Sequence, residues 1–314
     1  MTAGVGGGRI TVHDLTKRFG RGGPGSVPAV SGLTFAVEPG RVTGFLGPNG
    51  SGKTTTLRMI LGLVTPTSGE ARIDGVAWAE LDAPGRVVGA VLEAQGFHPG
   101  RTGRAHLRVC AAALGVPDAR VEEVLDLVGL ADAAGRGVGG WSLGMKQRLA
   151  LAGALLGDPR VLVLDEPANG LDPEGIAWLR AFLRRFAASG RTVLVSSHLL
   201  AEVEQGVDEL IVIDAGRCVY QGGLDELRDG TRARVLVRCP DPVRLAGALA
   251  AAGFAEIDTL PDGRLAVAGA GDQGDAAARV GDVAFEAGVA VHGLVEERMD
   301  LEQMFLQLVA GGRR

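Results

Sequence analysis

The chain has 314 residues, of which 46% are hydrophobic and 22% charged, so it can form a buried core and fill two domains of ordinary size. The 32 Lys and Arg are outnumbered by 37 Asp and Glu, which gives a net charge of −5. This charge argues against the excess of basic residues that a nucleic-acid-binding surface requires. The cysteines Cys110, Cys218 and Cys239 are far apart and form no paired motif. They predict reduced thiols in the cytosol rather than a disulfide framework or a metal site.

The sequence contains no predicted targeting or membrane segment. The first residues, MTAGVGGGRI, lack the apolar region of a signal peptide. The longest uncharged apolar run, from Leu149 to Gly157, is much shorter than the roughly 20 residues that span a bilayer. Any role at a membrane would therefore require a partner.

The first two thirds of the chain alternate between strands and helices. Residues 10–15 and 33–37 have the alternation of a half-exposed antiparallel sheet, and residues 42–47 form a short apolar strand followed by a helix over 55–64. Helical spacing recurs at 104–115, 119–129, 145–156 and 175–188, and buried strands are predicted at 161–165, 192–197 and 209–214. This order predicts a mainly parallel sheet covered on both faces.

A second pattern follows a composition shift near residues 228–230 and predicts a C-terminal α+β domain over 231–314. The predicted order is strand 233–238, helix 242–252, strand 255–260, strand 265–269, helix 273–287, strand 289–294 and a helix from about Asp300. This βαββαβ order is typical of a ferredoxin-like domain.

Residues 47–55, GPNGSGKTT, follow a predicted strand and precede a predicted helix, as a phosphate loop requires. Glycines let main-chain N–H groups turn inward around a phosphate, and the helix adds its positive dipole end. Lys53 is one of only three lysines, and its compact ammonium suits the β- and γ-phosphates better than a planar guanidinium would. The predicted nucleotide ligands here are Gly47, Asn49, Gly50, Gly52, Lys53, Thr54 and Thr55, with the Thr54 hydroxyl also facing Mg²⁺.

A carboxylate pair follows the apolar run VLVL, where a buried strand is predicted to end. Asp165 is placed to hold Mg²⁺ through a water molecule. Glu166 follows directly and is placed to polarise a water molecule for in-line attack on the γ-phosphate. An ordinary acidic exit from a strand is the alternative, and the phosphate loop upstream argues against it.

The stretch WSLGMKQRLALAGALLGDPRVLVLDEP, residues 141–167, resembles the ATP-binding subunits of ABC transporters, and the likeness covers about residues 9–228. The family's signature, usually LSGGQ, is here represented by Ser142, Gly144 and Met145, while Leu143 departs from the family's glycine. This form resembles the multidrug and antibiotic-export branch and its sodium-export relatives. The resemblance implies the fold of that ATPase: a mainly parallel core sheet, an antiparallel β subdomain and a helical subdomain at about 94–160.

The resemblance also implies roles for residues outside these motifs. Asp172 falls at the D-loop carboxylate, His198 at the switch histidine that contacts the γ-phosphate, and Phe19 at the aromatic residue that stacks on adenine. Core packing is the alternative for Phe19. Glu93 occupies the position of the family's Q-loop glutamine, with Gln95 two residues later, and a carboxylate there could still accept a Mg²⁺-bound water.

The function implied is that of an ATP-hydrolysing subunit that uses Mg²⁺ and ATP to drive export through a separate membrane permease. The signature would act in trans on ATP held by a second copy or a related cassette, in a dimer formed by ATP. The protein would be cytoplasmic and attached peripherally to the inner face of the membrane. A groove in its helical subdomain would receive the permease.

Three other functions are compatible with parts of the sequence. A soluble ABC-type ATPase acting on another macromolecule is the first, although the net charge argues against nucleic acid. A phosphate-loop kinase or GTPase is the second, and the chain contains no N-K-x-D base-reading motif. A regulatory module that binds ATP without hydrolysing it is the third, and the presence of Glu166 and His198 weighs against it.

Overall fold

The structure is a computed structural model that describes residues 7–20, 28–92, 96–197, 206–229, 234–268, 276–297 and 304. These residues divide into two compact units. The first extends to Leu224 and the second begins at Asp225.

The first unit contains two sheets. Its strands in chain order are β1 Ile10–Lys17, β2 Val30–Val37, β3 Val42–Leu46, β4 Ser68–Ile73, β5 Val76–Ala77, β6 Val88–Val91, β7 Val161–Asp165, β8 Thr192–Ser197, β9 Glu209–Asp214 and β10 Arg217–Gly223. One sheet is antiparallel with the order β2-β1-β4-β5, and the other has six strands in the order β10-β9-β3-β8-β7-β6. In the larger sheet, the strands from β9 to β6 are parallel and β10 is an antiparallel edge. The predicted mainly parallel core and antiparallel subdomain are confirmed.

The apolar composition of the central strands explains their position in the larger sheet. All five residues of β3 are buried, as are the first four of β7, because helices of the same unit cover a parallel sheet on its faces. The α-helices of this unit are α1 Lys53–Ile60, α2 Pro84–Val87, α3 Gly103–Leu114, α4 Ala119–Leu127, α5 Leu143–Leu155 and α6 Pro173–Ala188, and a further helix, α7 Leu224–Asp229, begins at its last residue. The predicted helices at 104–115, 119–129, 145–156 and 175–188 are therefore present, with ends shifted by a few residues.

The helix after the phosphate loop is shorter than the sequence indicates, because α1 ends at Ile60 rather than at Val64. Gly62 adopts a φ of +66°, a left-handed conformation that ends a helix. The N–H groups of both Leu63 and Val64 donate to the carbonyl oxygen of Arg58 as the chain turns away. The apolar periodicity of this segment continued beyond the point where the backbone leaves the helix.

The second unit has the predicted βαββαβ order. Its elements are β11 Arg234–Arg238, α8 Pro242–Ala251, β12 Ile257–Thr259, β13 Leu265–Ala268, α9 Ala276–Glu286 and β14 Gly293–Glu297. The sheet order β12-β13-β11-β14 is antiparallel throughout, which is the ferredoxin-like arrangement. A separate apolar core lies between this sheet and its two helices, formed by residues that include Val235, Val237, Leu245, Leu249 and Val280.

Two C-terminal boundaries differ from the prediction. The last strand begins at Gly293 rather than at residue 289, because Gly288 has a φ of +64° and the N–H of buried Val289 donates to the carbonyl oxygen of Ala284. Residues 288–289 therefore complete the end of α9. The helix predicted from about Asp300 lies outside the described residues except for Met304, which is helical and buried.

Two leucines of α4 give a matched test of this fold. Leu125 is 0% exposed and Leu127 is 45% exposed, although both lie on the same helix. We expect Leu125→Ala to lower the free energy of unfolding by about 2–5 kcal/mol, because it leaves a cavity in the core. Leu127→Ala should cost less than about 1 kcal/mol. Urea titration followed by circular dichroism measures both, and equal losses would contradict the orientation of α4.

Candidate functional site

The phosphate loop connects β3 to α1, and two of its glycines, Gly47 and Gly52, leave no space for a side chain. A Cβ atom at Gly47 would clash with the carbonyl oxygen of Ile213 and with Ser51 Oγ. Gly52 has a φ of +104°, and a Cβ there would lie 2.5 Å from the carbonyl oxygen of Ala29. No side chain of the described loop caps α1. Because its first N–H groups have no intrahelical partner, this helix end is suited to an anion.

Lys53 lies inside this loop with its side chain only 7% exposed. Its Nζ donates hydrogen bonds to the carbonyl oxygens of Gly47 at 2.6 Å and Pro48 at 3.4 Å, and it lies 3.9 Å from Glu166 Oε1. Burial lowers the pKa of Lys53, and the carboxylates of Glu166 and Asp165 act in the opposite direction. A phosphate group beside the ammonium would act in the same direction as these carboxylates and favour the charged form of Lys53.

Both oxygens of Asp165, the last residue of β7, accept hydrogen bonds from hydroxyl groups. Thr54, in the first turn of α1, donates its hydroxyl to Asp165 Oδ2 at 2.7 Å. Ser196, on the neighbouring strand β8, donates to Asp165 Oδ1 at 2.5 Å. Hydroxyl and carboxylate oxygens are ligands that Mg²⁺ prefers. While the Thr54 hydroxyl donates its hydrogen bond to Asp165, its oxygen still has a lone pair with which it can bind a metal ion. The residues present therefore fit a magnesium ion.

Glu166 follows Asp165 with a φ of +49°, a left-handed conformation that is uncommon for a residue with a side chain. Its N–H donates to Ser196 Oγ at 2.9 Å, and its side chain is 21% exposed. The structure thus brings Glu166 to the same place as Lys53, Thr54 and Asp165, as the sequence predicted for a catalytic carboxylate beside a phosphate loop.

Ser196 is the member of this site that the sequence analysis missed. It is fully buried on β8, where it pairs in register with Asp165. The sequence did contain a clue, because Ser196 lies near the end of the mostly apolar strand TVLVSS. A buried polar side chain in such a strand needs a hydrogen-bond partner.

The remaining predicted nucleotide ligands lie on or near the same loop. Asn49 and Gly50 are exposed, Gly50 with a φ of +82°, and Thr55 is half-buried in α1. Phe19 is 57% exposed, so it is not a core residue, and Lys17 Nζ lies 5.2 Å from the centre of its ring. An exposed aromatic ring is free to stack on a base, and its contact with adenine stays a prediction.

The predicted signature residues lie at the start of α5, where Ser142 is exposed and Met145 is half-buried. Ser142 Oγ accepts a hydrogen bond from the N–H of Met145 at 3.2 Å and so caps the helix. Gly144 is half-buried, and Leu143 is 40% exposed. The Leu143 side chain lies directly over Gly170, where an added Cβ would clash with it. The residue that departs from the family's glycine therefore contacts the D-loop of its own chain.

Asp172, the predicted D-loop carboxylate, caps α6, because its Oδ1 accepts the N–H of Gly175 at 2.7 Å. Gln147 of α5 donates through Nε2 to the carbonyl oxygen of Asn169 at 3.4 Å. The signature helix and the D-loop are thus joined within one chain. The predicted Q-loop residues Glu93 and Gln95 and the predicted switch residue His198 lie outside the described residues.

An open groove of about 380 Å³ lies between β6, α3 and α5. Phe97 and His106 form part of its wall, with ring centres 5.0 Å apart in an edge-to-face arrangement. Burial lowers the pKa of His106, and Arg101 adds to that effect. Much of the remaining lining is small, namely Gly85, Gly89, Ala90, Ala150, Gly153 and Ala154.

Comparison with known proteins decides the family. Residues 30–169 match the family described as "ABC transporter". The bacitracin transport ATP-binding protein BcrA of Bacillus licheniformis is 36% identical over 309 residues, which cover 96% of this chain and 98% of that protein. The chain belongs to the ABC transporter family. As an ATP-binding protein of this family, it is an ATPase.

Other relatives of this ABC transporter protein agree with that assignment. The daunorubicin resistance ATP-binding protein DrrA3 of Streptomyces coeruleorubidus is 34% identical over 313 residues, covering 97% of each chain. A solved ATP-binding subunit of an ABC transporter aligns with a TM-score of 0.62 and 31% identity, over 70% of this chain and 92% of that one. Residues 233–302 match a domain of unknown function, DUF8746.

The phosphate loop can be tested with a matched pair of glycine substitutions. Gly47→Ala should weaken ATP binding at least about tenfold, because an added Cβ displaces the loop backbone that faces the phosphates. Gly135→Ala is the control, since a Cβ there meets nothing within 4 Å. Titration calorimetry with Mg·ATP measures both affinities. Unchanged affinity in Gly47→Ala would contradict this role for the loop.

Proposed function

We propose that the protein is the ATP-hydrolysing subunit of an exporter for an antibiotic or a similar compound and that it works with a separate membrane subunit. BcrA and DrrA3 match the chain over nearly its whole length, and their names place them in bacitracin transport and daunorubicin resistance. None of the described helices is both long enough and apolar enough to cross a bilayer. The proposed location is the inner face of the membrane, where the subunit is held by its permease.

The observation that supports ATP hydrolysis is the group of five side chains at the ends of β7 and β8 and the start of α1. Lys53, Thr54, Asp165, Glu166 and Ser196 are linked by distances of 2.5–3.9 Å. Lys53 and the loop N–H groups neutralise charge on the β- and γ-phosphates and orient them. Glu166 orients a water molecule and accepts its proton as the water attacks in line.

Magnesium has a defined place in this proposal. When bound, Mg²⁺ stabilises charge on the phosphate oxygens. Thr54 would hold the ion through its hydroxyl oxygen, and Asp165, which accepts a hydrogen bond from that hydroxyl, would hold a water molecule bound to the ion. Phe19 provides a surface on which adenine stacks. The roles that the family resemblance implies for Glu93, at a Mg²⁺-bound water, and for His198, at the γ-phosphate, stay predictions.

The signature residues are proposed to act on ATP held by a second cassette. Ser142, Gly144 and Met145 lie at the N-terminus of α5, whose positive dipole end suits a γ-phosphate. An ATP-dependent dimer of two copies, or of one copy with a related cassette, would complete each site. Asp172, which fixes the start of α6 beside this surface, is the proposed D-loop carboxylate.

The groove lined by Phe97 and His106 is the proposed docking site of the permease. Its small residues leave room for a helix to approach the backbone of β6 and α5 closely. The strand β6 lines this groove and comes shortly before Glu93, the proposed Q-loop residue, in the sequence. We therefore propose that a movement of the permease in this groove would reach the nucleotide site through β6 and the Q-loop.

Glu166→Gln tests the hydrolytic role directly. We expect ATP binding to persist and turnover to fall by about 10²–10⁴, because the amide cannot accept the proton of water. Lys53→Ala is the companion variant and should lose ATP binding itself. Phosphate-release assays and calorimetry separate the two effects. Turnover close to wild type in Glu166→Gln would remove Glu166 from this role.

A mixing experiment tests action in trans. Ser142→Asp keeps a helix-capping oxygen but places a negative charge beside the γ-phosphate, so turnover should fall at least about tenfold. Ser142→Asn keeps the cap without the charge and should retain more activity. Lys53→Ala and Ser142→Asp are each defective, yet a mixed dimer has one intact site, so mixing the two proteins should restore turnover. No recovery in dimer-forming conditions would contradict the shared site.

A further inference from the structure

Ser196 contacts both acidic residues that follow the apolar part of β7, Asp165 and Glu166. Its side chain is completely buried on β8 and pairs with Asp165 across the parallel sheet. Its Oγ donates a hydrogen bond to Asp165 Oδ1 at 2.5 Å and accepts one from the N–H of Glu166 at 2.9 Å. The hydroxyl therefore acts as donor and acceptor at once, which alanine and valine cannot do.

These contacts continue to the phosphate loop. The second oxygen of Asp165 accepts the hydroxyl proton of Thr54 at 2.7 Å. A chain of hydrogen bonds thus runs from the main chain of Glu166 through Ser196 and Asp165 to the first turn of α1. Hydrogen bonds in such a chain strengthen one another in a site with little solvent.

The main chain of Glu166 needs this support because of its conformation. A φ of +49° places a residue with a side chain in the left-handed region, which persists only where the surroundings hold it. The hydrogen bond from its N–H to Ser196 fixes the direction in which the peptide, and hence the side chain, leaves β7. The Glu166 carboxylate then lies 3.9 Å from Lys53, facing the phosphate loop.

We infer that Ser196 is a positioning residue, which holds the Glu166 main chain in its left-handed conformation and thereby aims the Glu166 carboxylate at the attacking water. This inference rests on the proposed function, in which Glu166 is the general base. A misplacement of about 1 Å at a reacting group can cost about 10²-fold in rate. Loss of the Ser196 hydroxyl should therefore lower kcat more than it changes the affinity for ATP.

The strand β8 supplies a matched control. Thr192 is also fully buried, and its hydroxyl donates to the carbonyl oxygen of Gly7 at 3.0 Å, at the opposite end of the strand from Ser196. Thr192→Val removes one buried hydrogen bond from β8 without touching the site. Ser196→Thr keeps the hydroxyl, and a cavity of about 50 Å³ that borders Ser196 leaves room for the added methyl group.

The experiment compares Ser196→Ala, Ser196→Thr and Thr192→Val in the full chain by two measurements. The first is site-resolved hydrogen exchange of the Glu166 amide without nucleotide, which should be at least about tenfold faster in Ser196→Ala, because its acceptor is gone. The second is ATP turnover, in which Ser196→Ala should lower kcat about 10- to 100-fold and change KM less than about threefold. Ser196→Thr should restore both, and Thr192→Val should alter neither. If Ser196→Ala is insoluble, Ser196→Cys, a weaker hydrogen-bonding residue of similar size, should shift both in the same direction.

The outcomes separate this inference from the function on which it rests. Glu166→Gln is assayed in parallel, and turnover close to wild type there would remove the proposed base and the inference with it. A slow Glu166→Gln variant beside a Ser196→Ala variant with normal kcat and a protected Glu166 amide would overturn the Ser196 inference alone. Equal losses in Ser196→Ala and Thr192→Val would also overturn it, because they would indicate a general weakening of β8.

Discussion

The carboxylate of Asp165 is the interaction on which the site depends, since it joins three separate elements. Thr54 donates to one of its oxygens and Ser196 to the other, so α1, β7 and β8 are linked through one side chain. The parallel sheet makes this possible, because the carboxyl ends of β3, β7 and β8 meet at the same edge. Residues more than a hundred positions apart in the chain therefore contact one another without any long loop.

Opposing effects act on the charge of Lys53, the residue proposed to contact the triphosphate. Burial disfavours the charged form of Lys53, while Glu166 and Asp165 favour it. In the structure, the ammonium satisfies its donors with the main-chain oxygens of Gly47 and Pro48. Phosphate oxygens are stronger acceptors because they are charged, so a bound triphosphate can compete with these carbonyl oxygens for the ammonium.

Leu143, a residue at which the signature differs from its family's pattern, makes a contact within its own chain. Leu143 occupies the family's glycine position and covers Gly170, where an added Cβ would clash with the Leu143 side chain. Together with the hydrogen bond from Gln147 to Asn169, this contact ties the start of α5 to the D-loop. Two segments that the proposed dimer would present to its partner cassette are therefore held as one surface within each chain.

The sequence by itself determined the phosphate loop, the Asp165–Glu166 pair, the parallel core and the βαββαβ order of the second unit. Each of these is encoded locally, by glycine spacing, by apolar runs or by the periods of 2 and 3.6 residues that distinguish strands from helices. The tertiary structure alone decided the contacts of Ser196, the exposure of Phe19, the end of α1 at Ile60 and the start of β14 at Gly293. These features depend on which strands become neighbours and on single left-handed glycines, and neither is visible in the periodicity of one segment. The hydroxyl of Ser196 can be recognised as part of the site only once β7 is seen to place the Asp165 carboxylate beside it.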